Sequence, residues 1–383
     1  MGIELLYSGI VLFMLCFYGL IILFFTNGVL SLKNKKLSRL PIGQFKASVI
    51  IPVRNEQTHI VRILEEMYQQ DYPFELMEVI LTDDFSEDET IILASGYLRD
   101  HPDFPLKIVS SGKTNKEIAG KKQAITRALD IANGEIVLCT DADTWHSTSW
   151  ITTMVRGFYP VEIQMVLGPV VFNDGLNLLQ KIQVVEFLGV MGTTAGSAEK
   201  GCPVMCNGAN LGYRRSVFAE VGGYTGNLKY SSGDDQFLMS LVKKRFGKES
   251  VCFLYDTLAI VRTEAESTIS GFLNQRIRWI SKSPGYRDLA IIVVGAVTWL
   301  TVSLLFAGMI TGIFIPIVFL INVFFLIMKM AVDYPMVRIM IRFTGKCDHQ
   351  LYYVLAQFFQ LLYVPLVSLI GLFVPYRWKG RKS

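Results

Sequence analysis

Two aspartates stand one residue apart at the end of segment 135–143, which reads E-I-V-L-C-T-D-A-D. The apolar and β-branched residues before them predict a buried strand. Carboxylates at the end of such a strand are costly unless a positive charge lies between them, and a hard divalent cation takes oxygen ligands. Asp141 and Asp143 are therefore candidate metal ligands. The alternative is an ordinary turn, in which aspartate is common.

Polar residues also follow two other predicted strands. Residues 47–53, 78–82 and 106–110 read as short buried strands, and helical spacing appears over 58–70 and 115–132. This alternation predicts an α/β domain with a mostly parallel sheet, in which ligands bind at the carboxyl ends of the strands. The candidate binding residues at these ends are Asn55, Glu56, Asp83, Asp84 and Asp141.

Each further candidate has a chemical role and an ordinary alternative. Asp83 can accept the imide N–H of a uracil ring, or its loop can simply cap a helix. Lys121, in G-K-K-Q-A, offers a cation to a diphosphate, or faces solvent on its helix. In Q-R-I-R-W, Arg278 offers a fork of donors to phosphate and Trp279 an apolar face to a sugar or lipid. A membrane-interface belt is the alternative for Arg276 and Trp279.

Composition excludes several classes of protein. The 383 residues include 37 basic and 33 acidic ones, and a net charge of +4 does not indicate nucleic-acid binding. Six irregularly spaced cysteines argue against structural zinc and predict reduced thiols. No G-x-G-x-x-G follows a strand, and Ser111-Gly112-Lys113-Thr114 lacks the earlier glycine of a P-loop. Dinucleotide and P-loop nucleotide sites are therefore disfavoured.

Apolar runs near both ends predict a membrane protein. The run 5–25 has no charged residue and can cross a bilayer, which favours an anchor over a cleaved signal peptide. Further runs cover 289–309, 313–328 and 351–374, with an interfacial amphipathic helix predicted at 333–349. Basic residues after the first run place the middle of the chain in the cytoplasm. Four spans leave the basic tail outside, so a hairpin broken at Pro365 is the alternative to the last span.

The motifs together resemble a known family. In order, they are V-I-I-P-V-R-N-E, L-T-D-D-F-S-E-D-E-T, G-K-K-Q-A, D-A-D, G-A-N-L-G-Y-R-R, G-D-D and Q-R-I-R-W. This order resembles the family 2 glycosyltransferases, in the membrane-integrated branch that includes cellulose, chitin and hyaluronan synthases and ceramide glucosyltransferase. The resemblance covers roughly residues 45–285. It implies a GT-A fold and inverting transfer of a sugar from a nucleotide sugar, usually a UDP-sugar.

The resemblance also implies roles for individual residues. Asn55, Glu56, Asp83 and Asp84 would hold the nucleoside, Lys121 and Asp141 the diphosphate, and Asp141 with Asp143 a Mg²⁺ or Mn²⁺ ion. Asp235 would be the general base, and Gln275, Arg276, Arg278 and Trp279 would contact the donor and acceptor. Two positions depart from the family pattern. The base motif has Asp234 where glutamate is common, which leaves Asp234 as a second candidate, and Glu266 stands where a proline is expected.

These observations predict an integral protein of the cell (inner) membrane with a cytoplasmic catalytic domain. The predicted parts are an anchor (1–30), a basic linker (31–44), a GT-A domain with an interfacial segment (45–285) and a membrane region with about three helices (286–383). The predicted partners are a nucleotide sugar, a lipid or glycan acceptor and the bilayer, without nucleic acid. A processive polysaccharide synthase with a channel, a membrane nucleotidyltransferase and a catalytically inactive sugar-binding scaffold are the alternatives.

Overall fold

The computed structural model describes residues 2–34, 45–112, 120–224, 233–371, 374, 377–378 and 381–382. Most of the predicted basic linker, residues 35–44, lies outside these residues. The helices are α1 (Gly2–Asn34), α2 (Ile60–Tyr68), α3 (Thr90–Asp100), α4 (Lys121–Ile131), α5 (Trp150–Arg156), α6 (Leu178–Glu199), α7 (Arg215–Glu220), α8 (Asp234–Phe246), α9 (Ile269–Ile280), α10 (Leu289–Gly312), α11 (Pro316–Thr344) and α12 (Tyr353–Ile370).

The strands are β1 (Ala47–Val53), β2 (Met77–Asp83), β3 (Leu106–Ser110), β4 (Ile136–Cys139), β5 (Met165–Leu167), β6 (Val170–Phe172), β7 (Leu211–Arg214), β8 (Val251–Phe253), β9 (Val261–Thr263), β10 (Arg377–Trp378) and β11 (Arg381–Lys382). Short 3₁₀ helices cover Phe74–Leu76, Lys248–Ser250, Thr257–Ala259, Ser283–Gly285 and Cys347–Tyr352.

The chain forms two compact units. The sheet unit comprises Lys35–Val171, Met205–Glu264 and Arg377–Ser383, and the helical unit comprises Met1–Asn34, Phe172–Val204 and Ala265–Tyr376. The predicted domain boundaries stay predictions. The units divide the chain differently, because Phe172–Val204, which contains α6, and residues 265–285, which contain α9, group with the terminal helices, while Arg377–Ser383 groups with the sheet.

The sheet unit is built on seven strands in the order β3-β2-β1-β4-β7-β5-β8. Strand β1 pairs in parallel with β2 and β4, β2 pairs in parallel with β3, and β7 runs antiparallel to β4 and β5. The central strands are mostly apolar and mostly buried, as in sheets covered on both faces. The prediction of an α/β fold with a largely parallel sheet is confirmed.

The helical unit contains four helices that are long and apolar enough to cross a membrane: α1, α10, α11 and the segment Cys347–Ile370 that ends in α12. Helix α1 contacts α6 closely, because a Cβ atom added at Gly28 would lie 2.4 Å from the carbonyl oxygen of Gly196. Small residues at such crossings let helix backbones approach. The predicted pattern of one N-terminal and three C-terminal helices is confirmed.

Polar side chains also join α1 to α11. The hydroxyl of Tyr7 donates to Asn322 Oδ1 at 2.6 Å, and that of Tyr18 donates to Asp333 Oδ1 at 2.7 Å. Both pairs are separated by 315 residues, so the two helices are parallel and in one register. Where hydrocarbon surrounds a helix, such hydrogen bonds between helices satisfy groups that lipid cannot.

Helix α11 corrects one prediction. The expected break after residue 328 and the separate amphipathic helix at 333–349 are wrong, because α11 runs unbroken from Pro316 to Thr344. Lys329, which follows the predicted apolar run, lies inside this helix, where its buried ammonium group donates to Asp333, Gln357 and Gln360 at 2.7–2.8 Å. Pro365 likewise lies inside the continuous helix α12, not at the turn of a hairpin.

Candidate active site

The carboxyl ends of the central strands lie at one edge of the sheet. In the parallel register of β1 and β2, Val53 stands beside Asp83, and Ile50 of β1 stands beside Cys139 at the end of β4. The polar segments that follow these strands therefore start from the same edge. This arrangement positions the D-A-D segment beside the loops that carry Asn55 and Asp83.

A cluster of charged side chains lies just after β4. The ammonium group of Lys121, in the first turn of α4, donates to Asp141 Oδ1 at 2.5 Å. Burial alone would lower the pKa of Lys121, but Asp141, Asp234 and Asp235 outweigh it and raise this pKa above its ordinary value. Lys121 is therefore a permanent cation among three carboxylates that come from two parts of the chain.

Asp234 and Asp235 begin helix α8, where the helix dipole favours negative charge. Gly233, in the left-handed conformation (φ 84°), precedes them. Asp234 is buried, whereas Asp235 is partly exposed and its Oδ2 accepts the N–H of Gly208 at 3.0 Å. Of the two candidate bases, Asp235 has the carboxylate that a substrate can reach.

Helix α2 holds the D-A-D loop in place, through residues that were not predicted from the sequence. The guanidinium of Arg62 donates to the carbonyl oxygens of Thr144 at 2.5 Å and Ala142 at 3.4 Å, and to Glu66 at 2.9 Å. It also lies 4.1 Å from the centre of the Trp145 ring. Arg62 thus fixes the backbone on both sides of Asp143. The only signal in the sequence is the i, i+4 spacing of Arg62 and Glu66, which is common on any helix.

His146 extends this support into the core. Its side chain is fully buried, with Nδ1 3.0 Å from Glu66 Oε2 and Nε2 2.8 Å from Thr140 Oγ1. Burial lowers the pKa of His146, so a neutral ring with its proton on Nδ1, facing the carboxylate, accounts for these contacts. Thr140 and His146 bracket the D-A-D loop and limit its conformations.

Hydrogen bonds join the loops that follow β1 and β2. Asn55, with φ 53°, donates its backbone N–H to Ser86 Oγ at 3.0 Å and accepts the N–H of Glu87 at 2.8 Å. Asp83 Oδ1 accepts the N–H of Ser86 at 3.0 Å. Asp84 is buried, and the buried carboxylate of Glu56 lies 2.8 Å from His59 Nδ1. Asn55 and Asp83 are the accessible members, and the nucleoside role of all four stays a prediction.

Other motif residues have structural contacts. Asn210 is buried and its side chain bridges Pro169, Ala259 and the indole N–H of Trp150 at 2.8–3.0 Å. Arg214 pairs with Glu135 at 2.9 Å. Since β7 is antiparallel to β4 and Arg214 stands beside Ile136, Arg214 lies at the amino end of β4, away from Asp141.

The Q-R-I-R-W motif lies on α9 in the helical unit. Arg276 is buried and donates to Glu186 Oε2 of α6 at 2.6 Å, while Glu186 also accepts the hydroxyl of Tyr363 in α12. The guanidinium stacks 4.2 Å from the Trp279 ring centre and 4.8 Å from that of Phe272. Arg276 therefore ties α9 to its neighbours, and its predicted contact with donor or acceptor stays a prediction.

The other polar residues of the Q-R-I-R-W motif make fewer contacts than Arg276. Within the part of the chain that the structure describes, the guanidinium of Arg278 makes no hydrogen bond or ion pair, and the buried Oε1 atom of Gln275 has no hydrogen-bond partner. Glu266, at the position where a proline was expected, is held by Gln183, which contacts both its N–H and its carbonyl oxygen. The ligand roles of Gln275, Arg278 and Trp279 stay predictions.

The predicted metal site at Asp141 and Asp143 stays a prediction. Among the described residues, no three His, Cys, Asp or Glu side chains gather as a metal-binding group. The Lys121 ammonium nevertheless shows that a cation is stable against Asp141, and carboxylate oxygens are the ligands that Mg²⁺ and Mn²⁺ prefer. The donor set therefore fits a hard divalent ion that completes its coordination with oxygens of a ligand.

Two family models and several known proteins match this chain. Residues 48–222 match the family model described as glycosyl transferase family 2, and residues 136–373 match glycosyl transferase family group 2. An N-acetylglucosaminyltransferase of Rhizobium meliloti is 26% identical over 249 residues, 63% of this chain and 55% of the relative. A poly-beta-1,6-N-acetyl-D-glucosamine synthase of Staphylococcus epidermidis is 23% identical, over 61% of this chain and 53% of the synthase. The chain thus spans about half the length of these relatives.

A solved structure covers nearly the whole chain. The mannosyltransferase PcManGT from Pyrobaculum calidifontis, in complex with GDP-Man and Mn²⁺, aligns with 96% of this chain and 99% of its own. The TM-score is 0.59 at 17% sequence identity. This likeness confirms the predicted GT-A fold.

Proposed function

Because this chain belongs to glycosyl transferase family group 2, we propose that it transfers a sugar from a nucleotide sugar to a membrane lipid or a growing glycan. The transfer inverts the anomeric carbon and takes place at the cytoplasmic face of the cell membrane. The observation that carries the proposal is the cluster around Lys121, in which a D-x-D carboxylate and a reachable carboxylate on α8 converge.

The proposed chemistry assigns one role to each side of this cluster. Asp235 takes the proton from the attacking hydroxyl, whose oxygen bonds to the anomeric carbon as the bond to the diphosphate oxygen breaks. A positioned base of this kind contributes about 10²–10⁴-fold in rate. Lys121 contacts the diphosphate and stabilises the charge that the leaving group gains. Asn55 and Asp83 bind the nucleoside, and Asp83 accepts the imide N–H of uracil.

Asp141 and Asp143 would hold the divalent ion. When bound, Mg²⁺ or Mn²⁺ neutralises the diphosphate as a Lewis acid. Arg62 and His146 keep the backbone of the D-A-D loop in place, so that the two carboxylates face the donor without rearrangement.

The donor we propose first is UDP-N-acetylglucosamine. The relatives in Rhizobium meliloti and Staphylococcus epidermidis support an N-acetylhexosamine by their names, and the Asp83 carboxylate is of the type that can accept the imide N–H of uracil. GDP-mannose is the second candidate, because the mannosyltransferase with the same fold was crystallised with it.

The test uses the purified full chain with Mn²⁺ or Mg²⁺, a panel of UDP- and GDP-sugars, and a membrane lipid extract. We expect release of UDP from UDP-N-acetylglucosamine and a sugar-modified product whose mass gives the acceptor and the number of sugars added. Single additions to lipid indicate a lipid glycosyltransferase, and a ladder of masses indicates a polymerase. Pyrophosphate release from a nucleoside triphosphate would instead favour a nucleotidyltransferase, and absence of any nucleoside diphosphate would favour the inactive scaffold.

A further inference from the structure

The turn between α11 and α12 carries a small charged cluster that the proposed reaction does not use. Lys346 precedes the 3₁₀ helix Cys347–Tyr352, and its ammonium group donates to Asp174 Oδ1 at 2.6 Å. The same carboxylate oxygen lies 3.7 Å from Nε2 of His349, which is too far for a hydrogen bond. All three residues belong to the helical unit.

His349 is the incomplete member of this cluster. Its side chain is 9% exposed, and its Nε2 atom is buried without a hydrogen-bond partner among the described residues. A buried ring nitrogen in this state costs free energy that an acceptor would recover. Since Nε2 faces the oxygen of Asp174, the missing group belongs on the side where that carboxylate now lies.

The exposure of the partners shows from which side such a group arrives. The Lys346 side chain is 8% exposed, whereas that of Asp174 is 74% exposed. Lys346 and His349 are therefore fixed in the fold, and the carboxylate covers them from outside. Lys181 of α6 adds a second cation, with its ammonium group 5.6 Å from the centre of the Tyr352 ring. An anion with several oxygens can satisfy Lys346 and His349 together, which Asp174 does not.

Large aliphatic side chains flank the cluster. Leu176 is 94% exposed and Leu351 is 84% exposed, and they stand two residues after Asp174 and His349 respectively. The turn joins two helices that are long and apolar enough to cross a membrane, so it lies at a membrane surface. Exposed leucines beside a buried lysine are the combination expected where acyl chains and phosphates meet.

We propose that Lys346, His349 and Lys181 form a binding site for the phosphate of a membrane lipid, with Leu176 and Leu351 against its acyl region. Asp174 occupies the site in the absence of lipid and moves aside when the phosphate binds. Because α1 and α11 are parallel, this site lies on the face of the membrane where the chain continues beyond Asn34. The site is independent of the proposed sugar transfer.

The experiment measures lipid binding to the full chain, delipidated in a neutral detergent, by native mass spectrometry. We expect saturable binding of phosphatidylglycerol and none of a neutral glucosyl diacylglycerol. Lys346→Gln should weaken phosphatidylglycerol binding about fivefold, as expected for one basic residue at an anionic surface. The matched control Lys244→Gln removes an exposed lysine of α8 and should leave binding unchanged.

Asp174→Asn distinguishes a lipid site from a purely structural ion pair, because the two hypotheses predict opposite changes in phosphatidylglycerol binding. Removing the competing carboxylate should strengthen phosphatidylglycerol binding several-fold. Unchanged or weaker binding in Asp174→Asn would overturn the proposal, as would equal binding of the neutral glycolipid. Competition by millimolar inorganic phosphate would show a site for free phosphate and overturn the lipid assignment. If Lys346→Gln does not fold, Asp174→Asn and the lipid comparison still decide.

Discussion

The two units each bury a cation, and the surroundings of the two cations are opposite. Arg276 in the helical unit has one carboxylate partner among the described residues, Glu186, and is enclosed by aromatic rings. Lys121 in the sheet unit lies in the field of Asp141, Asp234 and Asp235. The first group, the closed pair, joins one cation to one carboxylate, whereas in the second, the open cluster, one cation lies beside three carboxylates. We expect the closed pair to hold a helix in place and the open cluster to lie at a ligand site.

The largest expected effect is on the open cluster. Asp235→Asn should lower kcat about 10²–10⁴-fold, because it removes the proposed base. UDP binding, measured by calorimetry, should stay intact, since Asp235 does not hold the nucleoside. Asp130→Asn, at an exposed carboxylate of α4, is the control. Unchanged turnover in Asp235→Asn, with lost turnover in Asp234→Asn, would transfer the role to Asp234.

The closed pair should respond in stability. Glu186→Gln leaves the Arg276 charge buried without its partner and should cost about 3–5 kcal/mol. Thermal unfolding in detergent checks this expectation. The double variant Glu186→Met with Arg276→Met should recover much of the loss, because no charge is then left unpaired. If the single variant were as stable as the parent, Arg276 would be available for a ligand after all, and the contrast between the cations would fail.

Lys121→Met tests the difference between the two cations by removing the cation of the open cluster. The KM for the nucleotide sugar should rise about tenfold or more, as a hydrogen bond to a charged group contributes about 1.5–3 kcal/mol. The stability difference from the parent should be constant through neutral pH. The raised pKa means that the ion pair contributes fully below the unfolded lysine pKa of about 10.4 and is lost only as pH rises through the higher folded value. A difference that vanished near neutral pH would contradict a charged Lys121.

A smaller effect is expected behind the D-A-D loop. Arg62→Lys keeps the charge but removes the fork that reaches the carbonyl oxygens of Ala142 and Thr144. We expect kcat/KM to fall several-fold, with a higher metal concentration needed for half-maximal rate and an unchanged melting temperature. Arg127→Lys, on the exposed face of α4, is the matched control. A fall in melting temperature without a change in metal dependence would assign Arg62 to stability alone.

The sequence predicts best what depends on local order along the chain. The ends of β1, β2 and β4 meet because parallel strands impose it, so Asp83 and Asp141 could be placed at one edge from their positions alone. Arg276 could not be placed in this way, since its burial depends on Glu186, which lies 90 residues away on helix α6. Helix α11 was divided wrongly because the charged residues Lys329 and Asp333 interrupt its apolar run. Their partner Gln357 lies on another helix, and no periodicity within α11 reveals it.

The two hydrogen bonds between α1 and α11 have a consequence for the order in which the protein acquires its contacts. Tyr7 and Tyr18 leave the ribosome with the first helix, but Asn322 and Asp333 follow 315 residues later. Until then, both hydroxyls must be satisfied by other groups, while α6, another neighbour of α1, has already been made. The first helix thus completes its contacts with α11 late, and a generic apolar helix in its place would lack the two hydroxyls that bind α11.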